Sequence, residues 1–261
     1  MKSTNQDQVK AAFTQQASGF ESDRMNFTKK GYLDYVVERV AAKPDDAVLE
    51  VAAGTCACGR AIAPHAGSVI CLDMTPAMLS IGKAEAEKAG LNNMTFVLGD
   101  AAELPFLDES FDIVFVRLAF HHFPETKAPF AEMVRVLRPG GKLVFIDMEA
   151  PEAELREKRD AIEKMRDASH VRNLSTDEML ALFCENGLSV SLCEAVKMPI
   201  DLQTWLDHTE TPAEVQAQVK VLMDDEIRGG AKTGFAPYVA DGEVCFAQQW
   251  VLVIGEKDTG R

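Results

Sequence analysis

"VLEVAAGTCACGR", residues 48–60, decides the fold. An apolar run from Val48 to Val51 carries one acid, Glu50, then passes through small residues and Gly54 into a turn toward a helix. A strand that ends in a small-residue loop and feeds a helix opens a nucleotide-binding α/β unit, because glycine lets the backbone approach a ligand closely. The same stretch admits a second reading, since Cys56 and Cys58 form a Cys-x-Cys pair that can begin a metal site. Such a site needs about four ligands, and no matching cysteine pair or histidine cluster follows in sequence. The stretch therefore reads as a cofactor loop, and no residue is assigned to a metal.

Outward from this loop the chain alternates. "GSVICLD" (67–73), "MTFVLG" (94–99), "FDIVFVRL" (111–118) and "KLVFID" (142–147) read as strands. Between them lie a helix opened by Thr75-Pro76 that stops near Gly90, and another from about Ala128 to Leu137. This spacing implies a mainly parallel sheet with helices on both faces. Two helices precede the loop, over 5–15 and 29–42, the second with Leu33, Val36, Val37 and Val40 on one face. Beyond it come a charged, exposed helix over 151–168 and a helix capped by Ser175 and Glu178 that ends at Gly187. "LSVSLCEAV", a Pro212-initiated amphipathic helix and the strand "VCFAQQWVLVIG" complete the chain. No composition shift marks a boundary, so residues 1–261 read as one domain: 1–43 N-terminal helices, 44–150 core, 151–261 an elaboration with the last two strands.

Composition bounds the function. The 261 residues are 47% hydrophobic and 26% charged, as in a folded soluble protein. The net charge of −14 and the lack of a basic run argue against nucleic acid as a partner. No apolar run reaches the roughly 20 residues of a membrane span, and the polar start lacks a signal-peptide centre, so a cytoplasmic location is expected. The six cysteines are scattered, several in apolar runs where a thiol acts as a small hydrophobe.

In an open parallel sheet the ligand lies beyond the carboxyl ends of the strands. Gly54 allows close backbone approach. Asp73, about 20 residues after the loop, is placed to accept from both ribose hydroxyls, and Asp100 to accept from the exocyclic amine of adenine.

"VLEVAAGT", "VICLDMTPAML", "VLGDAAELPFLDESFDIVFVRLAFHHF" and "VRVLRPGGKLVFID" resemble class I S-adenosylmethionine-dependent methyltransferases, in particular their UbiE-like group, over roughly residues 5–195. The resemblance implies a Rossmann-like α/β fold. Its sheet would be seven-stranded and mostly parallel with the last strand antiparallel, carrying an N-terminal helical lid and a helical insertion after strand 5. It implies S-adenosyl-L-methionine as cofactor, with S-adenosyl-L-homocysteine as product. Glu50, Ala52 and Gly54 fit the family's acid and small-x-Gly positions, while Cys56 stands where the pattern has its last glycine. By the same resemblance Gly54 lies against the methionine part, Asp73 takes the ribose, Met74 packs on adenine, and Asp100 with Ala101 reads the adenine edge. Arg117 is assigned to the cofactor side.

Methyl transfer from a sulfonium is an in-line displacement that mainly needs an aligned acceptor; a base helps where the acceptor must lose a proton. His122 in "RLAFHHF" is the candidate base, with supporting the next loop as its alternative role, and His121 is assigned to the acceptor side. Phe13, Phe20, Met25 and Phe27 lie in the N-terminal segment, which by the resemblance covers the cofactor like a lid, with ordinary helix packing as its alternative role; Phe20 is assigned to the acceptor. His170 and Arg172, in "DASHVRN", are placed by the resemblance over the acceptor pocket, and Trp205 either walls that pocket or packs under the last helix. There is no Asn/Asp-Pro-Pro-aromatic segment for a nucleobase amine, no Pro-Cys pair for cytosine carbon and no obvious carboxylate set for magnesium. A small organic acceptor, methylated on oxygen or carbon, remains. A non-catalytic cofactor-binding protein, an NAD-dependent oxidoreductase and an arsenite methyltransferase are the alternatives. The oligomeric state stays open, a homodimer included.

Overall fold

The computed structural model describes residues 5–21 and 30–259. Helices α1 (Asn5–Gln16) and α2 (Lys30–Val40) precede strand β1 (Ala47–Val51). Then follow α3 (Ala57–Ile62), β2 (Ser68–Asp73), α4 (Pro76–Lys88), β3 (Met94–Leu98), β4 (Phe111–Arg117), α5 (Lys127–Val136) and β5 (Leu137–Met148). The last third holds α6 (Ala153–Arg166), α7 (Thr176–Glu185), β6 (Leu188–Asp201), α8 (Leu202–His208), α9 (Ala213–Ile227), β7 (Tyr238–Ala240) and β8 (Glu243–Lys257).

The strands form one sheet in the order β3-β2-β1-β4-β5-β8-β6, with β7 paired to β8 as a hairpin. Strands β1 to β5 run parallel. Strand β8 lies antiparallel between β5 and β6. The order reverses at β1, whose neighbours are β2 and β4, and ligands of open α/β sheets bind outside such a switch point. The seven expected strands are present; β7 is an eighth, three residues long.

Alternation along β4 shows how the strands build two cores. Ile113 and Phe115 join a cluster with Val36 and Val40 of α2 and Ile62 of α3. Val114 and Val116 join the opposite cluster, with Phe130 and Met133 of α5 and Met179 and Phe183 of α7. Both faces are therefore covered, which is why these strands read as continuous apolar runs. Each such side chain removed from water contributes roughly 1.5–3 kcal/mol.

The capping box at α7 forms as expected: Ser175 Oγ accepts from Glu178 N–H, and Glu178 accepts from Ser175 N–H. Three expectations need correction. Thr75 makes no side-chain cap on α4; its own N–H donates instead to Asp73 Oδ1 at 2.8 Å. Helix α8 is additional, at seven residues too short for periodicity to register, whereas α3, six residues long, is the helix that the loop after β1 feeds. Helix α6 is not an exposed charged helix, because Arg159, Asp160 and Glu163 are buried. Arg159 lies 4.7 Å over the Phe235 ring and donates to Gly234 O, while Asp160 receives His170.

Candidate active site

One cleft of about 280 Å³ opens at the carboxyl ends of β1, β2 and β4. Its wall includes Glu50, Ala52, Gly54, Asp73, Met74, Asp100, Ala101 and Arg117. Thus every residue assigned from sequence to the cofactor falls on one cavity, along with Phe20, His121 and His122.

The loop after β1 takes an unusual path. Ala52, Gly54 and Cys56 have φ of 52°, 54° and 59°. Left-handed conformations at non-glycine residues are costly and concentrate at functional sites. They explain why the family pattern prefers glycine at the last position, and Cys56 adopts that conformation with its side chain fully buried. Cys58 follows inside α3, where burial pushes its thiol to about 12. Gly54 N–H donates to Asp73 Oδ2 at 2.8 Å, so the loop is tied to the end of β2 by the acid expected at the ribose.

Glu50 turns inward. Its Oε2 accepts from Gly59 N–H at 2.8 Å and lies 3.6 Å from Cys71 Sγ. A Cβ at Gly59 would come within 2.6 Å of both atoms, so this position needs glycine. Burial raises the Glu50 carboxyl to about 7 despite the Gly59 N–H and the Arg117 charge. The first turn of α3 is thus served by an internal acid. A dinucleotide pyrophosphate needs that helix start itself, which counts against the oxidoreductase reading.

At the acid expected to meet adenine, Asp100 Oδ1 accepts from Ala102 N–H at 2.9 Å and Oδ2 from Gln6 Nε2 at 2.6 Å. Gln6 belongs to α1, whose Val9, Phe13 and Gln16 also line the cleft. Phe20 lies beside Gly54: a Cβ built there would be 3.9 Å from its ring. Met25 and Phe27 lie outside the described residues.

The other end carries the histidines. Residues 120–122 form a single 3-10 turn, not a strand, so His121 and His122 both line the cleft. Strand alternation, which would admit only one of them, does not apply there. His121 Nδ1 is 2.7 Å from Asp147 Oδ1 at the end of β5, and both groups are buried. Burial opposes charge on each, yet their attraction prevails: the His121 pKa lies above its ordinary value and that of Asp147 below. Asp147 also accepts from the N–H groups of Phe120 and Met148 at 2.7 Å. Burial and then the neighbouring His121 charge push His122 well below the usual imidazole range. Its Nδ1 is 3.0 Å from Ser169 Oγ.

His170 and Arg172 are corrections: neither lines the cleft. His170 Nε2 is 2.9 Å from Asp160 Oδ1, inside the packing of α6. Arg172 reaches Glu178 Oε1 at 2.8 Å, drawn to the acid-rich start of α7. Their loop does touch the site through its backbone, since Val171 N–H donates to His121 O at 2.8 Å.

Trp205 lines the cleft, as one of its two foreseen roles has it, and packs edge-on against Phe235 and Phe246. Sequence reasoning missed Asp147, Asp167, Ser169, Arg166 and His208. Asp147 alone carried a signal, as the acid that closes "KLVFID".

Residues 49–145 match the family model described as a methyltransferase domain. The chain is 30% identical to the uncharacterized methyltransferase YcgJ of Bacillus subtilis over 208 residues, 79% of this chain and 82% of that protein. It is 29% identical to the ubiquinone/menaquinone biosynthesis C-methyltransferase UbiE of Shewanella piezotolerans over 206 residues, 76% of this chain and 79% of the relative. The crystal structure of the Bacillus subtilis YcgJ protein superposes with a TM-score of 0.80 at 28% identity, covering 89% of this chain and 100% of that one.

Proposed function

Because the chain belongs to the class I S-adenosylmethionine-dependent methyltransferases, in their UbiE-like group, we propose that it methylates oxygen or carbon of a small organic acceptor, with His122 as the base. The observation that carries this reading is the convergence of Asp73, Gly54, Asp100 and His122 on one cleft. The donor set fits the cofactor. Two carboxylates suit ribose hydroxyls and an adenine amine, and a left-handed glycine leaves the methionine side open.

Bound S-adenosylmethionine supplies a methyl group on a sulfonium sulfur, which keeps the bonding electron pair when that carbon is attacked. Asp73 holds the ribose and Asp100 the adenine, Met74 and Ala101 pack along the base, and Arg117 sits on the methionine side with Glu50 beneath the loop. Helix α1 and Phe20 line the cleft and act as its lid over the 44–150 core, and the remainder builds the acceptor side. His122 takes the acceptor proton; His121, held charged by Asp147, faces the oxygen on which negative charge develops. No described helix is long and apolar enough to cross a membrane, in keeping with a small acceptor met in the cytoplasm.

Titration calorimetry with S-adenosylmethionine and with NAD, followed by S-adenosylhomocysteine release from a pool of hydroxyl, thiol and carbon-acid acceptors, tests the reading. His122→Ala should keep cofactor affinity and lose 10²–10⁴-fold in turnover. Binding of NAD in preference to the sulfonium would overturn it.

A further inference from the structure

Ser169 is fully buried, and its single hydroxyl stands between two groups. Its Oγ is 3.0 Å from His122 Nδ1 on one side and 2.5 Å from Asp167 Oδ1 on the other. Asp167 also accepts from Ser169 N–H at 2.9 Å, so the carboxylate and the serine are fixed to one another. Burial opposes the charge on Asp167, but the nearby Arg166 guanidinium and the hydrogen bonds from Ser169 keep its carboxyl below the ordinary range. An ionised carboxylate only accepts, and a hydroxyl has one hydrogen to give. With that hydrogen directed to Asp167, Ser169 Oγ can meet His122 only as an acceptor. The proton of the neutral imidazole therefore sits on Nδ1, and Nε2 carries the lone pair.

The ring has little freedom to reverse this. Phe13 of α1 meets it edge-on with centroids 5.0 Å apart, and His121 lies 4.1 Å away on another side. The titratable groups around it are His121 with Asp147, Asp167, and His170 with Asp160. The order of contacts also sets this arrangement apart from a hydrolytic triad. Here the acid touches the serine and not the histidine, and the serine oxygen is fully enclosed, so it is no nucleophile.

We propose that Ser169 and Asp167 are positioning residues that hold His122 as the Nδ1–H tautomer, so that Nε2 receives a proton from the acceptor. The inference rests on the methyl-transfer reading, in which His122 is the base, and narrows the acceptor to one that must lose a proton: a hydroxyl or an acidic carbon. The step balances. The acceptor's O–H or C–H bond breaks, its proton goes to Nε2, and its electron pair forms the new bond to the methyl carbon. The sulfur departs as a neutral thioether, and the imidazolium returns its proton to water after product leaves. Asp167, one hydroxyl away, stabilises that imidazolium.

The test is a two-bond nitrogen–proton correlation spectrum of the imidazoles in the uniformly ¹⁵N-labelled full chain, with His122 assigned by His122→Gln. Wild type should show a protonated Nδ1 and a bare Nε2. Ser169→Ala should move the proton toward Nε2. Asp167→Asn, which keeps an oxygen for the Ser169 N–H, should give a mixture. In the acceptor-pool assay Ser169→Ala should lose at least tenfold in kcat with KM for S-adenosylmethionine unchanged. A bare Nδ1 in the wild-type spectrum, or the same tautomer in wild type and Ser169→Ala, overturns the proposal without any assay. The stated tautomer together with no S-adenosylhomocysteine from any acceptor would instead overturn the base role and the functional reading behind it.

Discussion

His121 Nδ1 and Asp147 Oδ1 lie 2.7 Å apart at the base of the cleft, and the ring of His122 is 4.1 Å from that of His121. Adjacent imidazoles thus occupy opposite electrostatic environments. One is paired with a buried carboxylate and drawn toward its charged form; the other is buried beside that charge and kept neutral. Neighbouring groups whose environments push their pKa values apart are how one site keeps both an acid and a base at neutral pH.

Removing the carboxylate should be costly. In Asp147→Ala the N–H groups of Phe120 and Met148 lose their acceptor, and His121 loses its counter-charge. A loss of about 3–5 kcal/mol in urea unfolding is expected. The pH dependence has a definite sign. The raised His121 pKa gives stability that is present below about 6.5 and lost as pH rises through the folded value. The lowered Asp147 pKa gives stability present above 3.8 and lost as pH falls. The variant should therefore differ most from wild type between those limits.

Glu50 behaves oppositely to an ordinary ion-paired acid. Its carboxyl is raised from 4.5 to about 7 by burial, so the folded chain holds a proton that the unfolded chain has released. Stability should be greatest below about 4.5 on this account and should fall as pH rises toward 7, by on the order of 3 kcal/mol. Glu50→Gln retains an acceptor for Gly59 N–H without the charge. Its unfolding free energy should change less than that of wild type between pH 5 and 7.5, and equal slopes would refute the assignment.

Asp73 accepts within the chain from Gly54 N–H and Thr75 N–H, both at 2.8 Å, among other donors. Asp73→Ala should weaken S-adenosylmethionine binding by about 2–3 kcal/mol, from lost bonds to a charged acceptor and a released loop. Calorimetry measures it. Unchanged affinity would remove the ribose assignment.

Arg172 supplies the contrasting case. Its guanidinium is partly exposed and engaged with Glu178. Arg172→Ala should cost no more than about 1 kcal/mol in stability and leave the acceptor KM unaltered. A tenfold rise in KM would return it to the acceptor side.

The sheet was legible because each strand is a run of apolar residues bounded by turn residues, and because Asp73 and Asp100 close two of them. That the residues read for the cofactor would meet on one cleft was legible for the same reason: they sit at fixed offsets from strand ends. The surroundings of the histidines were not. Ser169, with Asp167 behind it, reaches His122 from across a separation of 47 residues that no local pattern encodes. His170 and Arg172 lie in that same loop, yet their side chains turn toward α6 and α7, where Asp160 and Glu178 offer nearer partners. Helix α6 misled for a related reason. Its charges looked solvated because nothing in the sequence announces that Phe235 and Gly234 meet Arg159 or that His170 meets Asp160.

The amide of Gln6 donates to Asp100 through the same kind of N–H that the adenine amine would offer. On the proposed reading, cofactor entry would exchange one donor for another at that oxygen, and the bond would add little net affinity. What it would govern is discrimination. A purine with a carbonyl in place of the amine would displace Gln6 and turn lone pairs toward the carboxylate at that position, whereas adenine would leave the count of bonds unchanged.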